Sequence, residues 1–194
     1  MLTLEQWDNI RPSLEDMNFR MKQHLQGLNR ARIRLKKLRD NGMFIESAMI
    51  DGQILEYMIR LQLRAYKTKS AVLYELAMDD PFAEIVESIS ESVEKEPLGA
   101  LIGKLKRFVG ECPLTEKLDY FNKRFRKDFV HHAFFGGEEK MQESDQEYEK
   151  YMRGDQYKIL IQEMSNLMGA VKDETVALYE RAMGLRPSGK SDEQ

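Results

Sequence analysis

The chain has 194 residues, with 30 Lys and Arg against 33 Asp and Glu. A formal net charge of −3 excludes a protein that holds nucleic acid through an overall positive coat, so any such contact has to be local. The single cysteine, Cys112, excludes an intrachain disulfide and argues against a thiolate zinc site.

The length suits one domain with a sizeable core. Leu, Met, Glu, Lys, Arg and Ala dominate, with 5 Pro and 12 Gly, which is the composition of a helical protein. No apolar run approaches the length of a membrane span, and the first residues are neither basic nor apolar. With the lone cysteine, this leads to the expectation of a soluble, cytoplasmic chain that makes no membrane contact.

In chain order, Leu14, Met17, Met21, Leu25, Leu28, Leu35 and Leu38 recur at three- and four-residue steps and predict a long amphipathic helix over 13–40. Ser13 stands where an N-cap would, with Asp16 at the capping-box distance, and Asp40-Asn41-Gly42 closes the helix. Its apolar face suits either a partner chain or the fold of its own domain. A second helical pattern runs over 44–78, with Gly52 and Lys67-Thr-Lys-Ser70 as places to bend or break. Asp79-Asp80-Pro81 opens a third element that carries Ile85, Val86, Ile89 and Val93 and ends at Pro97. Residues 98–108 read as a short helix whose Gly99 and Gly103 allow close packing, and Pro113 starts the next helix.

Gly136-Gly137 and the acidic, Gln-containing run to Tyr151 read as a loop or frayed helix. A last helix covers 155–183, and 185–194 has the composition of a flexible tail. No strand-like alternation of useful length is present. The expected fold class is all-α, a bundle of five to six helices in a single domain spanning 1–184, with a long N-terminal amphipathic helix.

Chemistry concentrates in Asn122-Lys-Arg-Phe-Arg-Lys-Asp-Phe-Val-His-His-Ala-Phe-Phe-Gly-Gly137, which holds two of the 3 histidines just behind two arginines. Imidazole exchanges protons near neutrality, and guanidinium matches a pair of phosphate oxygens, so together they suit metal-free work on a phosphodiester. On an ideal helix at about 100° per residue, Arg126 and His131 lie roughly 140° apart, whereas Arg124 and His131 nearly coincide. An Arg126–His131 pair therefore requires an unwound helix end or a second subunit. Leu118, Phe121, Phe125, Phe129 and His132 share one stripe, which makes His132 either a core or capping histidine or a reacting group. His131 lies outside the stripe near Arg124 and Asp128. Asp128 suits orienting His131 or pairing with Arg124, and Asn122 suits a phosphate contact or the capping of a neighbouring element. Adjacent histidines splay on a helix, so no metal site or other cofactor is expected.

Two basic runs remain, Arg30-Ala-Arg-Ile-Arg-Leu-Lys-Lys-Leu-Arg39 and Arg60, Arg64, Lys67 and Lys69. They read as solvated helix faces or as a grip on phosphates.

An Arg, four residues, then His, closing a helix after a Phe/Leu-rich approach, resembles the motif of the HEPN (higher eukaryotes and prokaryotes nucleotide-binding) domain family. Pro97-Leu-Gly-Ala-Leu-Ile102 with Leu105, and Ile50-Asp-Gly-Gln-Ile-Leu-Glu56, are similar to helices that accompany that motif, so the resemblance spans 44–137. It assigns Arg126 and His131 as the catalytic pair, with Arg124 in a six-residue version. Asn122, Lys127 and His132 become the expected substrate contacts. The family often places Asn, Asp or His after the arginine, where this chain has Lys127.

The resemblance implies a homodimeric helical bundle whose motifs meet in a shared cleft. It further implies a metal-independent endoribonuclease of a toxin, defence or RNA-processing type, in which the RNA 2′-hydroxyl attacks the adjacent phosphate. RNA and an antitoxin are the corresponding partners. Some members are silent regulatory modules, and the alternative is a non-catalytic helical protein that binds a protein partner through the N-terminal helix.

Overall fold

Two long helices set the frame of the bundle. A computed structural model describes residues 3–89, 93 and 95–184. In it α1 (Leu4–Asp40) and α2 (Phe44–Glu75) form an antiparallel hairpin joined at Asn41-Gly42-Met43. Gln6 near the start of α1 donates to the Glu75 carbonyl at the end of α2, while Arg39 at the end of α1 reaches Asp51 near the start of α2. After them come α3 (Ala83–Glu87), α4 (Leu98–Val109) and α5 (Pro113–Phe121). A π-helical segment (Asn122–Asp128) leads into α6 (Phe129–Phe135), followed by α7 (Gly137–Arg153) and α8 (Gln156–Ala182). No strand occurs among the described residues, so the all-α expectation holds. None of the described helices is long and apolar enough to cross a membrane.

The first helix starts at Leu4, nine positions before the expected Ser13. Thr3 caps it, accepting from the Gln6 amide at 3.2 Å while the Gln6 side chain accepts from the Thr3 amide at 3.0 Å. Pro12 lies inside and removes one helical hydrogen bond, a cost of about 3 kcal/mol in a helix interior. Burial of Ile10, Leu14 and Met17 on one stripe spanning the proline offsets that cost. The apolar face of α1 is thus used by its own domain, packed along α2 with Trp7 stacked on Tyr179 of α8.

The central element is α2. It passes through Gly52 and the Lys67–Ser70 stretch without a break, because residues such as Leu55, Met58, Ile59, Leu63 and Ala65 are covered from several sides. Of the two readings at 137–151, loop or frayed helix, the chain takes the helix, and its inner face is packed. The inward residues of α7 are Ser144, Tyr148 and Tyr151, at helical spacing but built from hydroxyl-bearing side chains that an apolar pattern does not register. Gly99 packs closely, 3.1 Å separating an added Cβ from the Asn122 amide nitrogen, whereas Gly103 faces open space. Among the described residues, the expected third element is represented by α3 and by a 3-10 turn at Val93 and Lys95. Parts of it, together with the 185–194 tail, lie outside the described residues.

Four helices converge on one residue. Asp51 of α2 accepts from Arg39 Nη2 of α1 at 2.7 Å and from the Tyr148 hydroxyl of α7, and its backbone carbonyl accepts from the Tyr157 hydroxyl of α8 at 3.3 Å. Burial pushes the Asp51 carboxyl above its usual range, with Arg39 and the tyrosine pulling against that shift, and Asp51 Oδ1 has no partner. Removing Arg39 leaves a wholly buried acid uncompensated. Arg39→Ala is expected to lower unfolding free energy in urea by about 3 kcal/mol or more, well beyond the effect of Arg32→Ala on the exposed face of the same helix.

Candidate functional site

The Arg-His stretch is not a regular helix. Between Asn122 and Asp128 the backbone is π-helical, with bonds to the fifth residue in place of the fourth, so each residue turns the chain by less than in an α-helix. Rotation counted at a constant α-helical step does not carry through this segment. The wider turn keeps Phe121, Phe125 and Phe129, four residues apart, all at or below 2% exposure. Around them Tyr148, Tyr151 and Tyr157 supply ring contacts, with Phe125 and Tyr151 centroids 4.7 Å apart.

The two arginines face opposite neighbours. Arg126 pairs through Nη1 with Glu56 Oε1 of α2, and the same oxygen accepts from the Leu98 amide at 3.1 Å, at the first turn of α4. Arg60 closes the group, its Nη2 lying 3.6 Å from Glu56 Oε2 while donating to the Glu96 carbonyl at 2.8 Å. The aliphatic part of Arg126 runs over Gly52, with Cδ 3.5 Å from the position of an added Cβ. Arg124 turns to α7. Its Nε donates to both oxygens of Glu147 at 2.8 Å and its Nη2 to Oε2 at 2.5 Å, while Asp128 stands 3.6 Å from its Nη1. The bonds from Arg124 hold the Glu147 carboxyl below its usual range, against the opposing pull of partial burial.

The expected site residues are therefore distributed. His131 is exposed and touches Phe135, with centroids 5.2 Å apart, and it is hydrogen-bonded to neither arginine among the described residues. His132 is half-buried with Nδ1 2.8 Å from Ser144 Oγ of α7, so its partner is a hydroxyl and not a backbone carbonyl. Asn122 is 7% exposed and packs on the first turn of α4, on the side of the neighbouring element and away from solvent. Lys127 is exposed. Asp128 stands nearer to Arg124 than to any role at His131. Gly136 and Gly137 make the α6–α7 turn: a Cβ at Gly136 would lie 2.8 Å from the His132 carbonyl oxygen, and Gly137 has φ +74°.

Glu56 and Glu147 are the residues that motif reading missed. Glu56 carried a signal, since an acid at the spacing of Leu55, Ile59 and Leu63 falls inside an otherwise apolar face. Glu147 carried none, lying in a run rich in acids. No group of three or more His, Cys, Asp and Glu side chains suited to a metal ion occurs among the described residues.

The Glu147 shift gives a pH prediction. Because its folded pKa lies below the unfolded one, the Arg124–Glu147 bridge stabilises fully above the unfolded value of about 4.3 and is lost as pH falls through the lower folded value. In acid titrations of stability, Glu147→Gln is expected to flatten the slope in that window and to be less stable than wild type at neutral pH.

In comparisons with known proteins, no family model, no curated protein and no solved structure matches the chain.

Proposed function

We propose that this protein is a non-catalytic helical interaction module in which Arg124 and Arg126 act as struts. The observation that supports this reading is the commitment of both guanidinium groups to carboxylates of their own chain, Arg126 to the largely buried Glu56 and Arg124 to both oxygens of Glu147. A phosphate would have to compete with Glu56 for Arg126 and with Glu147 for Arg124 before the guanidinium stabilised its charge. The outer side of α1 offers the partner surface, where Arg34, Lys36 and Lys37 are exposed around Ile33, itself 64% exposed. A partner with an acidic surface fits this face. In a purified hetero-complex, the triple variant Arg34→Glu, Lys36→Glu, Lys37→Glu is expected to weaken partner affinity at least tenfold with an unchanged helical circular-dichroism spectrum. Unchanged affinity counts against α1 as the docking face.

One observation favours a second reading, the HEPN-like metal-independent endoribonuclease. His131 and Phe135 are exposed together at the end of α6, with Phe135 at 79%, so a second copy of the chain docked there would bring guanidinium groups to His131 that its own chain does not. RNA would be cut by attack of its 2′-hydroxyl, with His131 moving the proton. A fluorogenic RNA assay across protein concentrations separates the readings. The module predicts no turnover above background. Cleavage that survives a chelator and disappears in His131→Ala establishes the nuclease instead.

A further inference from the structure

The α1–α2 hairpin is not closed along its whole length. Beside Gly27 and Leu28 of α1 it opens into a cleft of about 470 Å³, within the range of small-molecule sites. Leu28, Ile50 and Ile54 supply an aliphatic surface and Tyr57 an aromatic one. Arg30 is the one charged side chain in the wall, and no carboxylate lines the cleft among the described residues, so the cleft selects anions over cations.

The wall also holds His24, a histidine outside the Arg-His stretch and 3% exposed. Its Nε2 is buried with no hydrogen-bond partner, which a folded protein bears only at a cost in free energy. Burial lowers the pKa and so favours the neutral ring, a form in which one nitrogen is an acceptor. The Tyr57 ring lies against it, with centroids 5.2 Å apart, and Tyr57 is 36% exposed and lines the same wall. Gly27 is also unusual. It sits in the interior of α1, where glycine is unfavourable, and an added Cβ would meet nothing within 4 Å, so its lack of a side chain keeps the cleft open and is not forced by packing.

We propose that this cleft binds a small hydroxylated aromatic carboxylate: the ring on Leu28, Ile54 and Tyr57, the carboxylate at Arg30, and the hydroxyl donating to His24 Nε2. The unpartnered nitrogen gives the ligand its second polar group, because a ring without a donor leaves Nε2 as it is.

The probe is 4-hydroxybenzoate, titrated into the full-length protein and followed through the His24 ring proton and the Gly27 amide by NMR. Saturable shifts are expected at both. Benzoate, which lacks the donor, is expected to bind about tenfold more weakly, in proportion to one buried hydrogen bond. Neutral 4-hydroxybenzyl alcohol is expected to be weaker still. His24→Phe, which keeps an aromatic ring beside Tyr57, should equalise 4-hydroxybenzoate and benzoate. Gly27→Leu, which improves helix propensity while filling the opening, should abolish binding with no loss of thermal stability. Absence of saturable shifts overturns the proposal, as do equal affinities of wild type for the three probes or binding unchanged in Gly27→Leu. Detection of only a long-lived water on Nε2 overturns it as well.

Discussion

Keeping a charge-bearing carboxylate out of water is unfavourable unless donors surround it, and the bundle is arranged around that requirement at Asp51. Arg39, Tyr148 and Tyr157 approach from three different helices, so α1, α7 and α8 each deliver a polar tip to the same point on α2. Apolar packing is non-directional and would tolerate these helices sliding along one another. Hydrogen bonds to a buried acid would not, which gives the interior a fixed register.

Glu56 repeats the arrangement five residues further along α2. There the amide at the start of α4 donates, Arg126 on the π-helical segment pairs with the same oxygen, and Arg60 adds a second positive charge 3.6 Å from the other oxygen. The two buried acids thus divide the work, Asp51 holding the long helices and Glu56 holding the shorter elements that carry the Arg-His stretch. Arg124 completes the frame by fastening α7 to the same segment through Glu147. The cluster of cations that attracts attention as chemistry is, within one chain, a set of cross-links between helices. His131 and Phe135 remain at the surface, as do Lys123 and Lys127.

Legibility from the residues depended on how local the deciding physics was. The end of α1 at Asn41-Gly42, the start of α5 at Pro113 and the bounds of α8 follow from turn chemistry and apolar periodicity within a few positions. The start of α1 was missed because the Ser13 cap pattern is local while the burial of Ile10, which carries the helix back through Pro12, is tertiary. α7 was concealed for a related reason: its inward face is Ser144, Tyr148 and Tyr151, whose hydroxyls look polar in one dimension and are buried only because Asp51, His132 and the Phe121–Phe129 rings stand opposite.

By itself the sequence determined that the fold class is all-α, that α1 is amphipathic, and that two arginines and two of the 3 histidines crowd into one stretch, since composition, period and spacing are properties of the chain alone. Only the tertiary structure decided that α1 folds onto its own domain, that Arg124 and Arg126 diverge to Glu147 and Glu56, and that His24 faces a cleft without a partner. The reason is physical. Which acid a guanidinium reaches depends on the positions of residues 23 and 70 places away in the chain, and on a π-helical turn whose phase no constant-step count contains.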